Sequence, residues 1–509
     1  MGSVWIVNGR LRGGSPVRND SHGVKGKNME RRVKIVATLG PAVSEPVRLR
    51  ALMEAGADVV RVNAAHGSPE ERAELIRNVR EAAAAVGKRV PILFDLRGLK
   101  IRTGPLPDGE NAVEIMRGEQ MRLEPGPVET SRERLGINYP ELLNVISSGS
   151  RVLVSDGLIE LHVDSVAEDH AIATVVRDGQ LRGRQGVTLP GAPIKGGALT
   201  EVDREDIAFA VEHGVDFLGL SFLNDASDLH LARKIARQHG DVIPGLISKI
   251  ERPQALENIE EITAASDGVM VARGDLGVQL PPERVPRAQK HIIGVANRMG
   301  VPVITATQML ESMIQHPVAT RAETSDVANA VWDGTDAVML SAETAVGKYP
   351  IEAVRTMHRI ICEVEKEGPV RSQAAQEKAV AADDPESQFA DAIARAAFAL
   401  SDQTPVQHLV VFTKTGTAAH RIAKYRPFPP IIAVADSELV ARRLSLVWGV
   451  DTVVSSVEPD QDATFRRAGR EIIDQGLAEE GEYALIVGSL PMSHLAGRTN
   501  LVHFRKLGT

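Results

Sequence analysis

The chain has 509 residues, of which 43% are hydrophobic and 25% are charged, and its formal net charge is -8. This length predicts about three domains at the usual ~150 residues per domain. The interspersed, slightly acidic charge excludes a general nucleic-acid binder and a protein that binds anionic membranes, and no apolar run reaches the ~18 residues that span a bilayer. We therefore expect a soluble cytoplasmic protein without nucleic-acid or membrane partners.

Two further features of the composition carry expectations. The one cysteine, Cys362, excludes an intrachain disulfide and is expected to be a buried, inert thiol within a helix. Residues 1–30 are rich in Gly, Asn and Arg and contain only the short apolar patch VWIV, which is too short for the core of a signal peptide. They are interpreted as a disordered extension.

Eight short runs rich in Val, Ile and Leu, each ending in polar residues or Gly, predict buried parallel strands. They begin near residues 34, 58, 90, 216, 242, 267, 301 and 336. Most neighbouring runs start 24 to 35 residues apart, with a helical pattern in the gap. Eight strand–helix units predict an α/β protein built on a (β/α)8 barrel, and a doubly wound open sheet is the structural alternative.

The remaining segments predict two additions to the barrel. Between the third and fourth runs lie about ninety extra residues whose apolar residues alternate around SDG and RDGQ turns, so residues 101–188 predict a small β domain. Because it follows the carboxyl end of a barrel strand, we expect it to act as a lid. The barrel is then assigned to residues 31–100 and 189–365, a linker to 366–387, and a second α/β domain to 388–509.

A barrel brings the polar residues at the ends of its strands into one ring. The stretch ISKIE ends the fifth strand with Lys249 and Glu251, and Asp275 lies at the corresponding place after the sixth. Two carboxylates on neighbouring strands suit Mg²⁺ or Mn²⁺, with substrate oxygens and water as further ligands. Taken singly, each carboxylate would more often pair with a neighbouring Lys or Arg. Arg61, Lys249 and Arg273 are expected to surround the metal with positive charge, as an anionic phosphoryl or carboxylate substrate requires.

The ordered motifs KIVATLGPA, RVNAAHG, KIRTG, ISKIE, MVARGDLG, ATQMLESM and MLSAETAVGKYP resemble those of the pyruvate kinase family, from about residue 31 to the C terminus. The resemblance implies a homotetrameric glycolytic enzyme that transfers the phosphoryl group of phosphoenolpyruvate to ADP. It implies that Glu251 and Asp275 hold the divalent metal. It also implies that Lys249 stabilises the transferring phosphoryl group and the developing enolate, and that Arg61 clamps the phosphoryl oxygens.

The same resemblance assigns the substrate carboxylate and the proton. The backbone amides of Arg273, Gly274 and Asp275, together with the Thr307 hydroxyl, are expected to receive the carboxylate. Thr307 and Ser341 are candidates for a water-linked relay that protonates the enolate.

For the nucleotide, the resemblance implies that Arg102 of the KIRTG motif contacts the phosphates. Asn63, at the end of the second strand, is assigned to the same nucleotide site.

Three positions depart from the potassium-dependent members of that family. Those members have Ser, Thr and Glu where this chain has Ala65, Leu96 and Lys100, while Asn63 and Asp95 remain. Two oxygen ligands are lost, and the Lys100 ammonium could supply the charge that potassium otherwise brings. We therefore expect activity without potassium. The alternative is that Lys100 merely pairs with a nearby acid.

In the last domain, the stretch FTKTGT forms a predicted strand-to-helix turn that suits a phosphate. In pyruvate kinases the matching loop binds the phosphate of an allosteric effector, so an effector site is expected at Thr413, Lys414, Thr415, Gly416 and Thr417. The alternative is an ordinary helix start capped by Thr417.

Two other function classes remain open from the sequence. A metal-dependent lyase or aldolase on the same barrel would also bind an enolate through Glu and Asp, but it has no use for the phosphoryl-directed pair Arg61 and Lys249. A catalytically silent, effector-binding relative is the second alternative. Consumption of ADP distinguishes the kinase from both.

Overall fold

The structure is a computed structural model that describes residues 31–192, 194, 199–370, 385–458, 460–489 and 499–509. The extension predicted for residues 1–30 and most of the predicted linker therefore lie outside the described residues. The described residues from Arg31 onward belong to one compact unit.

The first three barrel strands alternate with helices, as the periodicity predicts. These elements are β1 (Lys34–Thr38), α1 (Pro46–Glu54), β2 (Val59–Asn63), α2 (Pro69–Ala85) and β3 (Ile92–Asp95). The start of α2 is fixed by a capping box, in which the Ser68 side chain accepts from the Glu71 amide and the Glu71 side chain accepts from the Ser68 amide. This cap sets where the loop after β2 ends.

An inserted domain follows β3. Its elements are β4 (Val113–Ile115), β5 (Gln120–Pro125), β6 (Arg134–Ile137), α3 (Leu142–Val145), β7 (Arg151–Val154), β8 (Ile159–Val166), β9 (Ala171–Arg177), β10 (Gly179–Leu181) and β11 (Val187–Thr188). Six of the strands form one sheet in the order β11-β7-β8-β9-β5-β6, and β4 pairs with β10. The domain has a hydrophobic core of its own, which includes Ile115, Leu123 and Leu161.

The chain then completes the barrel. The elements are α4 (Glu201–Glu212), β12 (Phe217–Leu220), α5 (Ala226–Arg237), β13 (Gly245–Ile250), α6 (Pro253–Glu257), α7 (Ile259–Ala265), β14 (Gly268–Ala272), α8 (Arg273–Gln279), α9 (Val285–Met299), β15 (Val303–Ala306), α10 (Arg321–Trp332), β16 (Ala337–Leu340), α11 (Ala342–Ala345) and α12 (Pro350–Glu365). The parallel strands close in the order β1-β16-β15-β14-β13-β12-β3-β2. The predicted (β/α)8 barrel is confirmed, and the alternative of an open sheet is wrong.

All eight barrel strands contribute to one buried cluster, which includes Val36, Val59, Phe217 and Met270 and fills the barrel interior. Leu446, from the last domain, packs into the same cluster. The last domain therefore covers the end of the barrel where the strands begin, and the carboxyl ends stay open for a site.

The last domain is a five-stranded sheet with helices. Its elements are α13 (Pro385–Gln403), β17 (His408–Thr413), α14 (Thr417–Ala423), β18 (Ile431–Ala435), α15 (Glu438–Leu444), β19 (Val450–Val454), α16 (Gln461–Asp474), β20 (Tyr483–Gly488) and β21 (Leu501–Lys506). The sheet order is β19-β18-β17-β20-β21, and only β21 is antiparallel to its neighbour. The four parallel strands correspond to the apolar runs HLVVFT, PIIAVA, DTVVSS and YALIVG of the sequence, and β21 corresponds to no such run.

The structure corrects one side-chain expectation and adds one finding on helices. Cys362 is half-buried rather than buried, and its Sγ lies 3.5 Å from His358 Nε2. Burial raises the pKa of its thiol, which keeps the thiolate population low. Among the described residues, no helix combines the length and the apolar character needed to cross a bilayer.

Candidate active site

Lys249 and Glu251 lie at the carboxyl end of β13, on the same face because they are two residues apart in an extended chain. Both are buried, with 9% and 0% of their surface exposed. Lys249 Nζ lies 2.8 Å from Glu251 Oε1 and donates a hydrogen bond to Ser221 Oγ at 2.7 Å. The two charges that end this strand therefore form a buried pair and do not lie on the surface.

Asp95, at the end of β3, lies between two cations. Its Oδ2 accepts a hydrogen bond from Arg61 Nε at 2.7 Å, and its Oδ1 lies 3.4 Å from Lys249 Nζ. Arg61 also donates to Thr38 Oγ1 at 3.2 Å through Nη1. The ends of β1, β2, β3 and β13 are thus joined by one network of charged side chains.

Burial opposes the charge on every group in this network, and the neighbouring charges decide which groups remain ionised. At Asp95, Lys249 and Arg61 outweigh burial and hold the pKa of the carboxyl below its usual range. At Lys249, Asp95 and Glu251 outweigh burial and raise the pKa of the ammonium. Burial raises the pKa of Glu251 to about 7 despite the attraction of Lys249, and the charge of Asp275 adds to the rise. Lys249 is therefore a permanent cation near neutral pH.

The oxygen atoms of Glu251 and Asp275 fit a divalent cation. Glu251 Oε1 is buried, and its contact within the described part of the chain is the ion pair with Lys249 at 2.8 Å. Asp275 is exposed, in the first turn of α8. Nowhere in the described part of the chain do three His, Cys, Asp or Glu side chains gather as a metal site. Two carboxylates suit Mg²⁺ or Mn²⁺, which keep substrate oxygens and water as their other ligands.

Thr307 follows β15 in a strained backbone conformation. Its φ is +67°, which is an outlier for a β-branched residue, and such strain is typical of functional sites. Its Oγ1 accepts a hydrogen bond from the Gly274 amide at 2.7 Å and donates one to the Ala306 carbonyl at 2.6 Å. The hydroxyl and the amide that were predicted to act together are thus in direct contact.

The guanidinium of Arg273 pairs with Asp326 and with the turn after β15. Nη1 donates to Asp326 Oδ1 at 2.7 Å, and Nη2 donates to the Thr307 carbonyl at 2.6 Å. These contacts join α8 to α10 and to the strained turn after β15. The expectation that this side chain adds positive charge around the metal stays a prediction, as does the role of its backbone amide.

Ser341 lies directly after β16. Its Oγ is buried and has no hydrogen-bond partner among the described residues, while its amide donates to Glu343 Oε2 at 2.6 Å. Glu343 is itself buried, which raises the pKa of its carboxyl, and its other oxygen accepts from the Leu310 amide. The Ser341 hydroxyl is therefore held in place and available to a substrate or water.

A cavity of about 930 Å³ adjoins this network. Arg61, Asn63 and Ser341 line it, together with Thr38 and His66. Since Arg61 also contacts Asp95, one residue belongs both to the cavity wall and to the charged network.

Lys100 and Arg102 lie apart from that network. Lys100 is exposed and makes no hydrogen bond or ion pair with the described residues. Asn63 Oδ1 instead accepts from the Ala65 amide, and Asp95 contacts Arg61 and Lys249. Arg102 is exposed and donates to the Arg184 carbonyl at 2.9 Å. The structure therefore does not bring Lys100 into contact with Asn63 or Asp95, and the alternative in which it pairs with an acid is not seen either.

The turn between β17 and α14 gathers three hydroxyls. The Gly416 amide donates to Thr413 Oγ1 at 2.9 Å, and the hydroxyls of Thr415 and Thr417 lie 2.9 Å apart. Gly416, with a φ of +92°, is the residue that caps α14. The alternative in which Thr417 caps the helix is wrong, because Thr417 is its first residue.

Comparisons with known proteins agree with this architecture. The family model for the pyruvate kinase barrel domain matches residues 30–354, and that for the pyruvate kinase alpha/beta domain matches residues 391–504. The chain is 41% identical over 479 residues to the pyruvate kinase of Geobacillus stearothermophilus, which covers 93% of this chain and 80% of the relative. It is also 41% identical over 484 residues to the pyruvate kinase of Mycobacterium tuberculosis H37Rv. That match covers 94% of this chain and 99% of the relative.

Among solved structures, the chain resembles the crystal structure of a pyruvate kinase from Cryptosporidium parvum. The TM-score is 0.86 at 34% identity, with 94% of this chain and 96% of that chain covered. The fold and these matches together define a phosphotransferase built on a (β/α)8 barrel. The chain belongs to the pyruvate kinase family.

Three contacts in the site were not predicted from the sequence. Ser221 follows the fourth predicted strand, a position that by itself assigns it no role. The bond of its hydroxyl to Lys249 depends on the register of β12 against β13, in which Leu220 pairs with Ser248. The Phe222 amide, which donates to Glu251 at 2.8 Å, carries no side-chain signal at all. His66 follows β2 in the RVNAAHG motif, whose order along the chain is the one signal for its place in the cavity wall.

Proposed function

We propose that this enzyme transfers the phosphoryl group of phosphoenolpyruvate to ADP with the help of Mg²⁺ or Mn²⁺, and that it needs no potassium. The observation that supports this most directly is the buried Lys249 ammonium, which lies 2.8 Å from the buried Glu251 carboxylate. A fixed cation beside a metal-ligating carboxylate suits a reaction in which negative charge moves from a phosphoryl group to an enolate.

Glu251 and Asp275 would hold the divalent ion, which when bound neutralises charge on the substrate's phosphate and carboxylate. Lys249 keeps its charge at neutral pH and stabilises the developing enolate more than the ground state. Arg61, oriented by Asp95, holds the phosphoryl oxygens. The amides of the Arg273–Asp275 turn and the Thr307 hydroxyl receive the carboxylate; in the structure this hydroxyl bonds to the Gly274 amide, so substrate would replace that bond.

Proton delivery to the enolate is assigned to hydroxyl groups. The Ser341 hydroxyl is buried and lacks a hydrogen-bond partner in the described structure, so it can donate to a water or accept from one. Thr307 is the second candidate, since its hydroxyl stands at the first turn of α8. A water between the two would complete the relay.

The cavity lined by Arg61 and Asn63 is proposed for ADP. Its volume of about 930 Å³ suits a nucleotide, and Arg61 places its wall next to the charged network. Arg102, at the base of the inserted domain, would reach the phosphates when that domain moves over the barrel.

Potassium independence rests on the chemistry of three positions. Ala65 and Leu96 carry no oxygen in their side chains, so they make a poor cage for a cation. Lys100 adds a positive charge on the loop that follows Asp95. Its exposed side chain is long enough to turn toward a bound substrate and supply there the charge that potassium brings elsewhere.

The test is pyruvate release from phosphoenolpyruvate, ADP and Mg²⁺ in potassium-free buffer, with potassium then added to the same sample. We expect full activity before the addition and little change after it. Activity that appears only with potassium would keep the kinase and overturn the role of Lys100. No pyruvate release either without or with potassium would favour the catalytically silent, effector-binding relative. Pyruvate formed without consumption of ADP would indicate a lyase.

We also propose that the protein is a homotetramer and that the Thr413–Thr417 turn binds the phosphate of an effector. The three hydroxyls and Lys414 offer the donors that a phosphate needs. Light scattering on the full chain tests the tetramer. A Thr415→Ala, Thr417→Ala double variant tests the effector site, because it should remove any activation by sugar phosphates or nucleotides without changing the basal rate.

A further inference from the structure

The two residues that follow β12 hold both ends of the catalytic pair. Ser221 Oγ accepts the hydrogen bond of Lys249 Nζ at 2.7 Å, and the Phe222 amide donates to Glu251 Oε2 at 2.8 Å. Phe222 has a φ of +58°, which is rare for a bulky residue. We call Ser221 and Phe222 the β12 corner.

Ser221 also connects this pair to the loop after β3. Its hydroxyl donates to the Leu96 carbonyl at 3.1 Å, so one buried oxygen bonds both to that loop and to Lys249. Ser221 is 3% exposed, and water therefore does not substitute easily for either contact. Because the hydroxyl donates its one proton to Leu96, its lone pair faces Lys249.

At Gly98, the loop after β3 packs directly against the β12 corner. A Cβ added to Gly98 would lie 2.9 Å from both Ser221 Cβ and Phe222 Cδ2, closer than real side chains approach. Gly98 has a φ of +63°, and its amide donates to Asp203 Oδ1 at 3.0 Å, which anchors the loop to α4. The position of the loop and that of Ser221 are therefore fixed together.

We propose that Ser221 is a positioning residue that orients the Lys249 ammonium for phosphoryl transfer, and that the loop after β3 sets its position through Leu96 and Gly98. This proposal rests on the proposed function. Lys249 has three N–H donors, and among the described residues its polar contacts are Ser221, Asp95 and Glu251, of which Ser221 is the neutral one. The two carboxylates balance the charge of the Lys249 ammonium, while the Ser221 hydroxyl fixes the orientation of that ammonium.

The first test is Ser221→Ala in the full-length protein. We expect kcat to fall about tenfold to hundredfold, the range for a lost hydrogen bond to a charged group. The KM for phosphoenolpyruvate and the Mn²⁺ dissociation constant, measured by electron paramagnetic resonance, should change less than threefold, since Glu251 keeps its bond to Phe222. Ser221→Thr, which restores the hydroxyl, should recover most of kcat.

A matched glycine pair tests the role of the loop. Gly98→Ala should lower kcat as Ser221→Ala does, because the new methyl displaces Ser221. Gly87→Ala is the control: Gly87 has a nearly equal φ of +65° but no atom within 4 Å of its added Cβ, so it carries the backbone strain alone. It should keep the wild-type kcat.

An unchanged kcat in Ser221→Ala would overturn the proposal. So would a parallel loss of kcat, Mn²⁺ binding and unfolding temperature, because that pattern marks a merely structural residue. The wild-type assay shows whether the proposed function itself fails, independently of the role of Ser221. If the wild type consumes no ADP, acylation of Lys249 followed by peptide mass mapping decides: faster labelling in Ser221→Ala supports the positioning role, and an equal rate overturns it.

Discussion

Arg61 and Asp95 are joined by two contacts to one oxygen: Nε lies 2.7 Å and Nη2 lies 2.5 Å from Asp95 Oδ2. The carboxyl is 1% exposed, so the pair is shielded from water and from salt. Its other oxygen faces Lys249, and a single carboxylate therefore orients both cations that are proposed to act on the phosphoryl group.

Asp95→Asn should damage both stability and activity. The variant keeps the shape but leaves Arg61 and Lys249 without a shared counter-charge, which we expect to cost on the order of 3 kcal/mol in the free energy of unfolding. kcat/KM should fall at least a hundredfold, because both cations lose their orientation. Urea denaturation and steady-state kinetics measure the two effects. Glu201→Gln, at an exposed ion pair with Arg204, is the control and should change stability by less than about 0.5 kcal/mol.

Lys249→Gln should lower kcat by about a thousandfold, since the lost charge acts mainly in the transition state. Binding of Mn²⁺ should persist, because Glu251 and Asp275 are unchanged and Glu251 loses a competing ion pair. Stopped assays measure kcat, and Mn²⁺ titration measures the dissociation constant of the metal. A variant that keeps a tenth of the wild-type rate would contradict the role of Lys249.

Lys100→Glu should make the enzyme depend on potassium. Without potassium, we expect at least a tenfold lower kcat/KM than in the wild type, and added potassium should restore part of the loss. Lys100→Gln removes the charge without adding a carboxylate and should lose activity with little rescue. Equal rates for all three proteins in potassium-free buffer would show that Lys100 has no such role.

Glu323 predicts a pH dependence of stability. Hydrogen bonds from Ser312 and Thr320 outweigh its burial and hold the pKa of the carboxyl below its usual range. A depressed pKa contributes stability that is present above the unfolded value of about 4.5 and lost as the pH falls through the folded value. The unfolding midpoints of the wild type and Glu323→Gln should therefore differ most above pH 5 and converge toward pH 3. A difference that grows on acidification would contradict this assignment.

Arg426 attaches the last domain to the barrel through Asp336. It is 2% exposed, donates to Asp336 Oδ1 at 2.9 Å, and stacks over the Trp448 ring at 4.8 Å. Arg426→Ala leaves Asp336 buried without its cation, which should cost about 3 to 5 kcal/mol. Calorimetry should show the last domain unfolding before the barrel. Arg426→Lys keeps the charge but not the planar fork, and we expect an intermediate effect.

The barrel and the proximity of Lys249 to Glu251 were predictable because their signals are local. Buried parallel strands read as apolar runs, and a Lys and a Glu two residues apart at the end of such a run must share a face. β21 gave no such signal, because it is an edge strand whose residues are largely exposed and mixed in character.

The remaining contacts depend on geometry between distant segments. Arg273 stands in a motif beside Asp275, a predicted metal ligand, yet its side chain pairs with Asp326, 53 residues away. The bond between Ser221 and Lys249 likewise requires the register of two strands. A motif fixes where the backbone of a residue lies, whereas the direction of a long side chain depends on which partners the fold brings within reach.

β1 joins the two ends of the barrel. At its start, Lys34 Nζ donates to the Val450 carbonyl of the last domain, and at its end Thr38 Oγ1 accepts from Arg61. The five residues Lys34–Thr38 are all buried and span about 13 Å, and the strand pairs with β16 on one side and with β2 on the other. Such a strand cannot bend or stretch appreciably. A tilt of the last domain that displaced Lys34 would therefore be transmitted along a rigid rod to Arg61, with no flexible segment in between to absorb it.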